Sequence, residues 1–226
     1  MFWRQGNGDE RNRDPARLRA EMVEKQIRAR GIQDTRVLDA MLSVPRHEFV
    51  GPEYRPMAYE DRPLPIGAGQ TISQPYMVAA MSQALALKGH ETVLDVGTGS
   101  GYQAAVLAYL AARVYSIERE GVLVETARAA LSRLGLAGRI VLVEGDGTQG
   151  YAPGLPYDGI VVGAAAPDVP HSLIEQLADG GRLVIPVGDL HSQELLLVRK
   201  VGGKVLRDVI NYCRFVPLVG EQGWKA

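Results

Sequence analysis

Short apolar runs alternate with helix-forming stretches along the middle of the chain. The runs have the length and composition of buried strands, and they fall at residues 93–96, 113–117, 139–144, 157–162 and 182–187. Alanine-rich or amphipathic stretches between them predict helices at 103–112, 122–134 and 171–179. Because strands alternate with helices, the pattern predicts an α/β protein with a parallel sheet and right-handed crossovers.

The two ends of the chain depart from that alternation. Residues 15–30 have helical spacing up to Gly31, and a second helix, capped by Asp34 or Thr35, is expected to end at Pro45. These helices are expected to cover the sheet. Residues 51–69 are rich in proline and glycine and predict a long loop, which leads into a helix through Leu87. Residues 194–201 and 204–209 flank a Gly-Gly turn and predict an antiparallel hairpin.

Composition adds only a few limits. The chain has 226 residues, is 46% hydrophobic and 23% charged, and carries a formal net charge of −1. That balance shows no sign of a nucleic-acid or anionic-membrane surface. Cys213 is the single cysteine, which excludes an intrachain disulfide and favours a reducing compartment. The scattered histidines lack metal-ligand spacing, so no metal is expected.

The same features set the expected organisation. Residues 1–14 are polar and contain glycine, which predicts a loose tail before a single domain at 15–226. The chain shows neither a signal peptide nor a run long enough to span a bilayer. We therefore expect a cytoplasmic protein, and we expect it to be a monomer.

A glycine turn after the strand at 93–96 is the clearest chemical signal. Gly97, Gly99 and Gly101 precede a helix, and this arrangement allows a ligand to approach the backbone at a strand's carboxyl end. The spacing G-x-G-x-G differs from the dinucleotide-binding turn and from the P-loop. The next strand ends in Glu118, an acid placed to bind ribose hydroxyls. Together they predict an adenosine ligand without phosphates, commonly S-adenosyl-L-methionine. The alternative is a turn that only connects a strand to a helix.

Several motifs of this chain resemble those of the protein-L-isoaspartate O-methyltransferase family. They are Gly69-Gln-Thr-Ile-Ser-Gln-Pro-Tyr-Met77, Val93-Leu-Asp-Val-Gly-Thr-Gly-Ser-Gly-Tyr102, Gly145-Asp-Gly147, Tyr157-Asp-Gly-Ile-Val-Val-Gly-Ala-Ala-Ala-Pro167, Gly180-Gly-Arg-Leu-Val-Ile-Pro-Val-Gly188 and Phe215-Val-Pro-Leu218. The resemblance runs from about Leu18 to Leu218. The glycine turn is shared by many methyltransferases, whereas the Thr-Ile-Ser-x-Pro segment is far more specific to this family.

The resemblance implies a Rossmann-like S-adenosylmethionine-dependent methyltransferase fold. Its sheet is mostly parallel, with a C-terminal antiparallel hairpin and N-terminal covering helices. It implies a repair enzyme that methylates the free α-carboxylate of L-isoaspartyl residues in damaged peptides and proteins. S-adenosyl-L-methionine is the donor and S-adenosyl-L-homocysteine the product. The methyl ester then closes to a succinimide, which partly reopens to aspartate.

The resemblance also assigns the site. Ser73 is the active-site serine, and the cofactor is bound by Gln70, Thr71, Ile72, Ser73, Asp95, Gly97, Thr98, Gly99, Gly101, Glu118, Asp146 and Gly147. The C-terminal tail is expected near the cofactor after Leu218. Val219 stands where some members have threonine, so a polar contact is not expected there.

Two roles remain open for Ser73. The acceptor carboxylate is ionised at neutral pH, since its ordinary pKa is about 3.9, and it needs no general base. No Gly-x-Ser-x-Gly elbow surrounds Ser73, so its hydroxyl is expected to hydrogen-bond the carboxylate rather than attack a substrate. Ser73 also lies just before Pro75, where a helix N-cap belongs.

Two other functions compete with the repair enzyme. One is methylation of a different substrate, such as tRNA or a small molecule; the net charge and the Thr71–Pro75 segment argue against RNA. The other is a non-catalytic module that binds isoaspartyl peptides, which the intact glycine turn and Glu118 disfavour.

Overall fold

A computed structural model describes residues 14–225, which form an α/β structure. The helices are α1 (Pro15–Met22), α2 (Thr35–Ser43), α3 (Pro75–Leu85), α4 (Tyr102–Leu110), α5 (Gly121–Arg133) and α6 (His171–Gln176). The strands are β1 (Leu64–Gly67), β2 (Gln70–Ile72), β3 (Thr92–Val96), β4 (Arg113–Glu118), β5 (Ile140–Glu144), β6 (Tyr157–Val162), β7 (Leu177–Gly188), β8 (Gln193–Val201) and β9 (Lys204–Cys213). The predicted fold class is confirmed.

Seven strands form the main sheet in the order β5-β4-β3-β6-β7-β8-β9. The pairs from β5 to β7 are parallel, and β8 and β9 add antiparallel pairs, as the Gly202-Gly203 turn predicts. The chain passes from β3 to β4 on one side, while β6 lies on the other side of β3. The strand order therefore reverses at β3, and ligands bind at such a switch point beyond the carboxyl ends of the strands.

Two apolar cores lie on opposite faces of the sheet. One core packs the N-terminal helices, α3 and α4 against side chains such as Val93 and Val184. The other packs α6 and its neighbours against Leu94 and Leu183. Consecutive residues of one strand belong to different cores because strand side chains alternate between faces. The helices predicted from 15–30 and 35–44 thus cover one face of the sheet.

The first predicted helix is confirmed, although its geometry changes along its length. After α1 it continues as a π turn at Val23–Ile27 and a 3-10 turn at Arg28–Arg30, and Gly31 ends it with φ of 93°. Asp34 caps α2 by accepting from the backbone N–H groups of Arg36 and Val37. The expected tail at 1–14 lies outside the described residues except for Asp14, whose side chain caps α1.

The prediction of a loop across residues 51–69 is wrong in its second half. Leu64–Gly67 pairs with Gln70–Ile72 as a hairpin, and Leu64 and Ile72 are buried. Prolines misled the prediction, because proline is tolerated in short edge strands that need few backbone donors. The hairpin covers the glycine turn: a Cβ added to Gly99 would lie 3.2 Å from Ile66 Cδ1.

Two helix ends were also predicted too late. The helix expected through Leu87 ends at Leu85, and Ala86 takes a left-handed conformation with φ of 51°. The helix expected through Asp179 ends at Gln176, because the next three residues already belong to β7, where Leu177 pairs with Tyr157. In residues 14–225, no helix is long and apolar enough to cross a membrane.

Candidate active site

The glycine turn is fixed by backbone hydrogen bonds at the carboxyl ends of β3 and β4. Gly97 N–H donates to the Ile117 carbonyl at 2.8 Å, and Gly101 N–H donates to the Thr98 carbonyl at 2.8 Å. Gly97, Gly99 and Gly101 all have positive φ. Residues other than glycine rarely adopt a positive φ, so the turn needs glycine at these positions.

Glu118 ties this turn to its own strand. One carboxylate oxygen accepts from Gly99 N–H at 2.9 Å, and the other accepts from the N–H groups of Arg119 and Glu120 at 2.9 and 3.1 Å. A carboxylate offers about four acceptor sites, so one remains for a ligand hydroxyl. The side chain lines a cavity above the turn.

This cavity, here called the glycine-turn cavity, collects six of the predicted residues. Its lining consists of Gln70, Thr71, Val96, Gly97, Gly99, Ile117, Glu118, Arg119, Glu120, Gly147, Gly163, Ala164, Val216, Pro217, Leu218 and Val219. Gly147 must be glycine, because an added Cβ would lie 2.5 Å from Val96 Cγ1. An apolar floor beside acidic and backbone polar groups suits a nucleoside without phosphates.

Asp95 and Thr98 lie beneath the turn rather than on its cavity. Ser116 Oγ donates to Asp95 Oδ2 at 2.7 Å and lies 2.6 Å from Thr98 Oγ1, so the three side chains form a buried chain. Burial raises the pKa of Asp95 to about 7. The structure thus places Asp95 and Thr98 in support of the turn. Neither Ile72, which is buried, nor Gly101, which packs against Ala127, is among the residues that line the cavity.

Asp146 is engaged by the C-terminal strap, the name used here for residues 216–225. Its carboxylate accepts from the Glu221 N–H at 2.7 Å and from the Thr148 N–H and hydroxyl at 2.9 and 2.7 Å. Partial burial opposes ionisation, but these hydrogen bonds hold the pKa of Asp146 below its ordinary value. Trp224 Nε1 donates to the Ala165 carbonyl at 3.0 Å and fastens the end of the strap.

The strap supplies a wall of the glycine-turn cavity. Val216, Pro217, Leu218 and Val219 lie along it. Val219, an apolar residue, therefore lines the cavity. The sequence pointed to the tail only in general terms, because its apolar residues carry no local motif beyond the Phe-Val-Pro-Leu segment.

Ser73 lies in a second cavity that adjoins the first and is here called the serine pocket. Its lining consists of Arg30, Pro63, Thr71, Ser73, Gln74, Tyr76, Met77, Gly163, Asn211, Tyr212, Cys213, Arg214, Phe215 and Val216. Thr71, Gly163 and Val216 line both cavities, so the two meet there. Within the described part of the chain, the half-buried Ser73 hydroxyl has no hydrogen-bond partner.

The helix-cap interpretation of Ser73 is wrong. The residue in the N-cap position of α3 is Gln74, and its side chain makes no capping hydrogen bond. Asp61 takes over that role from the preceding loop. It accepts from Gln74 Nε2 at 2.7 Å and, more weakly, from the Tyr76 N–H at 3.4 Å.

Asp61 also pairs with Arg30, whose Nη1 lies 2.6 Å from a carboxylate oxygen. The Arg30 guanidinium stacks on the Tyr76 ring, 3.5 Å from its centroid. Arg214, the other guanidinium of the serine pocket, is exposed and has no acidic partner within 4.0 Å among residues 14–225. The pocket therefore carries positive charge that Asp61 only partly neutralises.

Sequence reasoning missed Arg30, Asp61 and Arg214. They come from segments about 30 to 180 positions apart, and none lies in a motif whose spacing indicates a shared pocket. In the described range, no group of three or more His, Cys, Asp or Glu residues is arranged to hold a metal ion.

Comparisons with known proteins agree on one family. A sequence model of the protein-L-isoaspartate(D-aspartate) O-methyltransferase family (PCMT) matches residues 17–223. A protein-L-isoaspartate O-methyltransferase from Methanoculleus marisnigri is 56% identical over 213 residues, covering 94% of this chain and 96% of the relative. One from Geobacter metallireducens is 55% identical over 214 residues, covering 94% and 98%.

Solved structures give the same result. A protein-L-isoaspartate O-methyltransferase structure superposes with a TM-score of 0.80 at 29% identity, covering 91% of this chain and 67% of the other. A Plasmodium falciparum protein-L-isoaspartate O-methyltransferase, crystallised with S-adenosyl-L-homocysteine, gives a TM-score of 0.77 at 27% identity. That match covers 89% of this chain and 98% of the other.

Proposed function

We infer the function from the premise that this chain belongs to the protein-L-isoaspartate(D-aspartate) O-methyltransferase family. It is an S-adenosyl-L-methionine-dependent repair enzyme that methylates the free α-carboxylate of L-isoaspartyl residues in damaged proteins. The ester then forms a succinimide, part of which returns to aspartate. The observation that carries this conclusion is the meeting of the two cavities at Thr71, Gly163 and Val216.

The residues of the glycine-turn cavity fit the cofactor. We propose that Glu118 binds the ribose with its remaining acceptor site and that the glycine turn allows close approach of the ligand. Gly147 leaves room beside Val96, and the strap covers the ligand with apolar side chains. When bound, S-adenosyl-L-methionine supplies a methyl group already activated by its positive sulfur.

The serine pocket has the groups that an acceptor carboxylate needs. The acceptor arrives ionised at neutral pH, so no residue has to remove a proton from it. We propose that the Ser73 hydroxyl donates a hydrogen bond to one oxygen of the acceptor carboxylate, while the Arg214 guanidinium attracts the negative charge of that carboxylate. Asp61 holds Gln74 and the start of α3, and thereby keeps Ser73 in place. Catalysis would then rest on positioning, which can contribute about 7–11 kcal/mol in favourable cases.

Geometry rather than charge should separate isoaspartate from aspartate. In isoaspartate the chain continues through the β-carbonyl, so the free α-carboxylate lies one carbon nearer the main chain than the aspartate side-chain carboxylate. A pocket that holds the peptide backbone therefore presents only one of the two acids correctly. A misplacement of about 1 Å can cost about 100-fold in rate.

The test is incubation with methyl-labelled S-adenosyl-L-methionine and two peptides that differ only in isoaspartate or aspartate. We expect a base-labile methyl ester on the isoaspartyl peptide and no label on its partner. Repeated cycles should convert isoaspartate slowly to aspartate. Equal labelling of both peptides, or label that survives mild base, would show that the pocket recognises a different acceptor.

We further propose a monomer that acts in the cytoplasm and does not bind nucleic acid. A net charge of −1 and a single half-buried cysteine support these proposals. Sedimentation tests the oligomeric state, and a dimer would contradict the proposed monomer. A binding assay at low salt tests for nucleic acid, and a salt-sensitive complex would contradict the proposal that none is bound.

A further inference from the structure

Strand β9 forms an outer edge of the main sheet over ten residues. It pairs with β8 along its inner side, and no other strand of residues 14–225 pairs with its outer side. An edge strand of this length presents a row of backbone donors and acceptors that another extended chain can join.

The hairpin turn determines which backbone groups point outward. Gly202 and Gly203 both have positive φ, at 57° and 74°, as a two-residue type I′ turn requires. The residues flanking such a turn, Val201 and Lys204, form a hydrogen-bonded pair, and the pairs alternate from there. The N–H and C=O groups of Val205, Arg207 and Val209 therefore face away from β8.

The outer strand is unusually apolar for an exposed edge. Its large apolar side chains and their exposed fractions are Val205 39%, Leu206 45%, Val209 49%, Ile210 40% and Tyr212 72%. Proteins usually protect such an edge with charged side chains, especially lysine, or with proline. The charged residues of β9 are Lys204 beside the turn, Arg207 and Asp208. Here Arg207 pairs with Asp168, and Asp208 pairs with Arg199.

The far end of β9 leads into the serine pocket. Asn211, Tyr212 and Cys213 line that pocket together with Ser73. A chain that lies along the outer edge of β9 therefore arrives where the acceptor carboxylate has to enter. Because the acceptor is itself part of a polypeptide, its neighbouring residues are the extended chain that this edge fits.

We propose that β9 is the docking strand for the substrate polypeptide. An extended segment beside the isoaspartyl residue adds as a further strand to Val205, Arg207 and Val209, and the isoaspartyl residue reaches Ser73 from there. This proposal rests on the proposed function. It predicts that substrates with long extended flanks bind more tightly than minimal ones.

The experiment compares an isoaspartyl tripeptide with two longer peptides. One is extended by about eight residues on the N-terminal side of the isoaspartyl residue and the other by as many on the C-terminal side, and each extension spans about 25 Å as a strand. Arg207→Pro removes one outward N–H and fills its place, while the hydrogen bonds to β8 remain. The matched control, Arg207→Ala, removes the side chain and keeps the N–H. Val205→Pro with Val205→Ala repeats the test at a second outward position in case Arg207→Pro does not fold.

We expect Arg207→Pro to raise KM about tenfold, equivalent to about 1.4 kcal/mol, for the extended peptide whose flank lies along β9. The tripeptide should keep its kcat and KM, and Arg207→Ala should leave both peptides unchanged. Equal KM values for extended and minimal peptides in the unmodified protein would overturn the docking proposal while leaving the proposed function intact. If no isoaspartyl peptide is methylated at all, the proposed function itself fails.

Sedimentation of the same variants identifies a competing occupant. If the unmodified protein is a dimer that Arg207→Pro separates, the edge belongs to a second copy of the chain, and the docking proposal is wrong. A monomer in both cases, together with the KM difference, supports it.

Discussion

The glycine-turn cavity and the serine pocket adjoin, yet they are built in different ways. The first lies at the carboxyl ends of neighbouring parallel strands, where glycines leave room for a ligand and the strap adds one wall. The second is assembled from Arg30, the segment from Asp61 to Met77, and the end of β9. The comparison indicates that the first cavity depends on the sheet itself, whereas the second depends on a few side chains that hold separate segments together.

The largest effect should come from Glu118, the side chain on which the first cavity depends most. Glu118→Ala removes the proposed ribose acceptor and also releases the Gly99 N–H. Charge-assisted hydrogen bonds contribute about 1.5–3 kcal/mol, so affinity for S-adenosyl-L-homocysteine should fall about 10- to 150-fold. Calorimetry measures this, with Glu125→Ala on the exposed face of α5 as the control. Unchanged affinity would remove Glu118 from the site.

Ser73→Ala tests the second cavity. We expect kcat for an isoaspartyl peptide to fall about 10- to 100-fold, because the acceptor carboxylate would lose the hydrogen bond proposed to align it. Thermal stability should not change, since Ser73 makes no capping hydrogen bond. Ser132→Ala, at an exposed position on α5, is the control. A variant that melts earlier but keeps its turnover would return Ser73 to a structural role.

Arg214→Gln should act on substrate binding with a smaller effect. The guanidinium is exposed, so its loss should raise KM for an isoaspartyl peptide only about two- to fivefold. The effect should shrink as salt rises, because exposed charges are screened. Arg139→Gln, on an exposed surface, controls for net charge. A salt-independent change in kcat alone would argue that Arg214 acts in another way.

Asp95→Asn concerns stability rather than methyl transfer. Burial raises the pKa of Asp95 to about 7, so the folded state holds a proton that the unfolded chain releases near pH 4. Its stabilising contribution is therefore complete below about pH 4 and is lost as pH rises through about 7. Asp95→Asn should flatten this part of the Tm profile, by about 2–4 °C for each kcal/mol involved. Asp39→Asn is the exposed control, and an unchanged profile would contradict the assignment.

The sequence predicted the parallel sheet, the glycine turn and the closing hairpin because their signals are local. Apolar runs mark the strands, and the Gly202-Gly203 turn fixes the register of the last pair. The β1–β2 hairpin was missed because its strands are short and the first contains Pro65. Its burial comes from packing against the rest of the fold, which local pattern does not show.

The site divides along the same line. Gly97, Gly99 and Glu118 carry a local pattern and line the predicted cavity. No local pattern marks Arg30, Asp61 and Arg214 as site residues, because only the fold brings them near Ser73. Asp95 and Thr98 have the expected positions in the motif, but both side chains meet Ser116 beneath the turn rather than lining the cavity.

A titration of S-adenosyl-L-homocysteine into the Ser73→Ala variant tests most directly whether the glycine-turn cavity and the serine pocket bind their ligands separately. If they do, the variant forms a 1:1 complex whose affinity stays within about twofold of that of the unmodified protein, a difference of about 0.4 kcal/mol. Methyl transfer is nevertheless largely lost. An affinity loss as large as that of Glu118→Ala would show that the two cavities are one binding unit and would contradict the account.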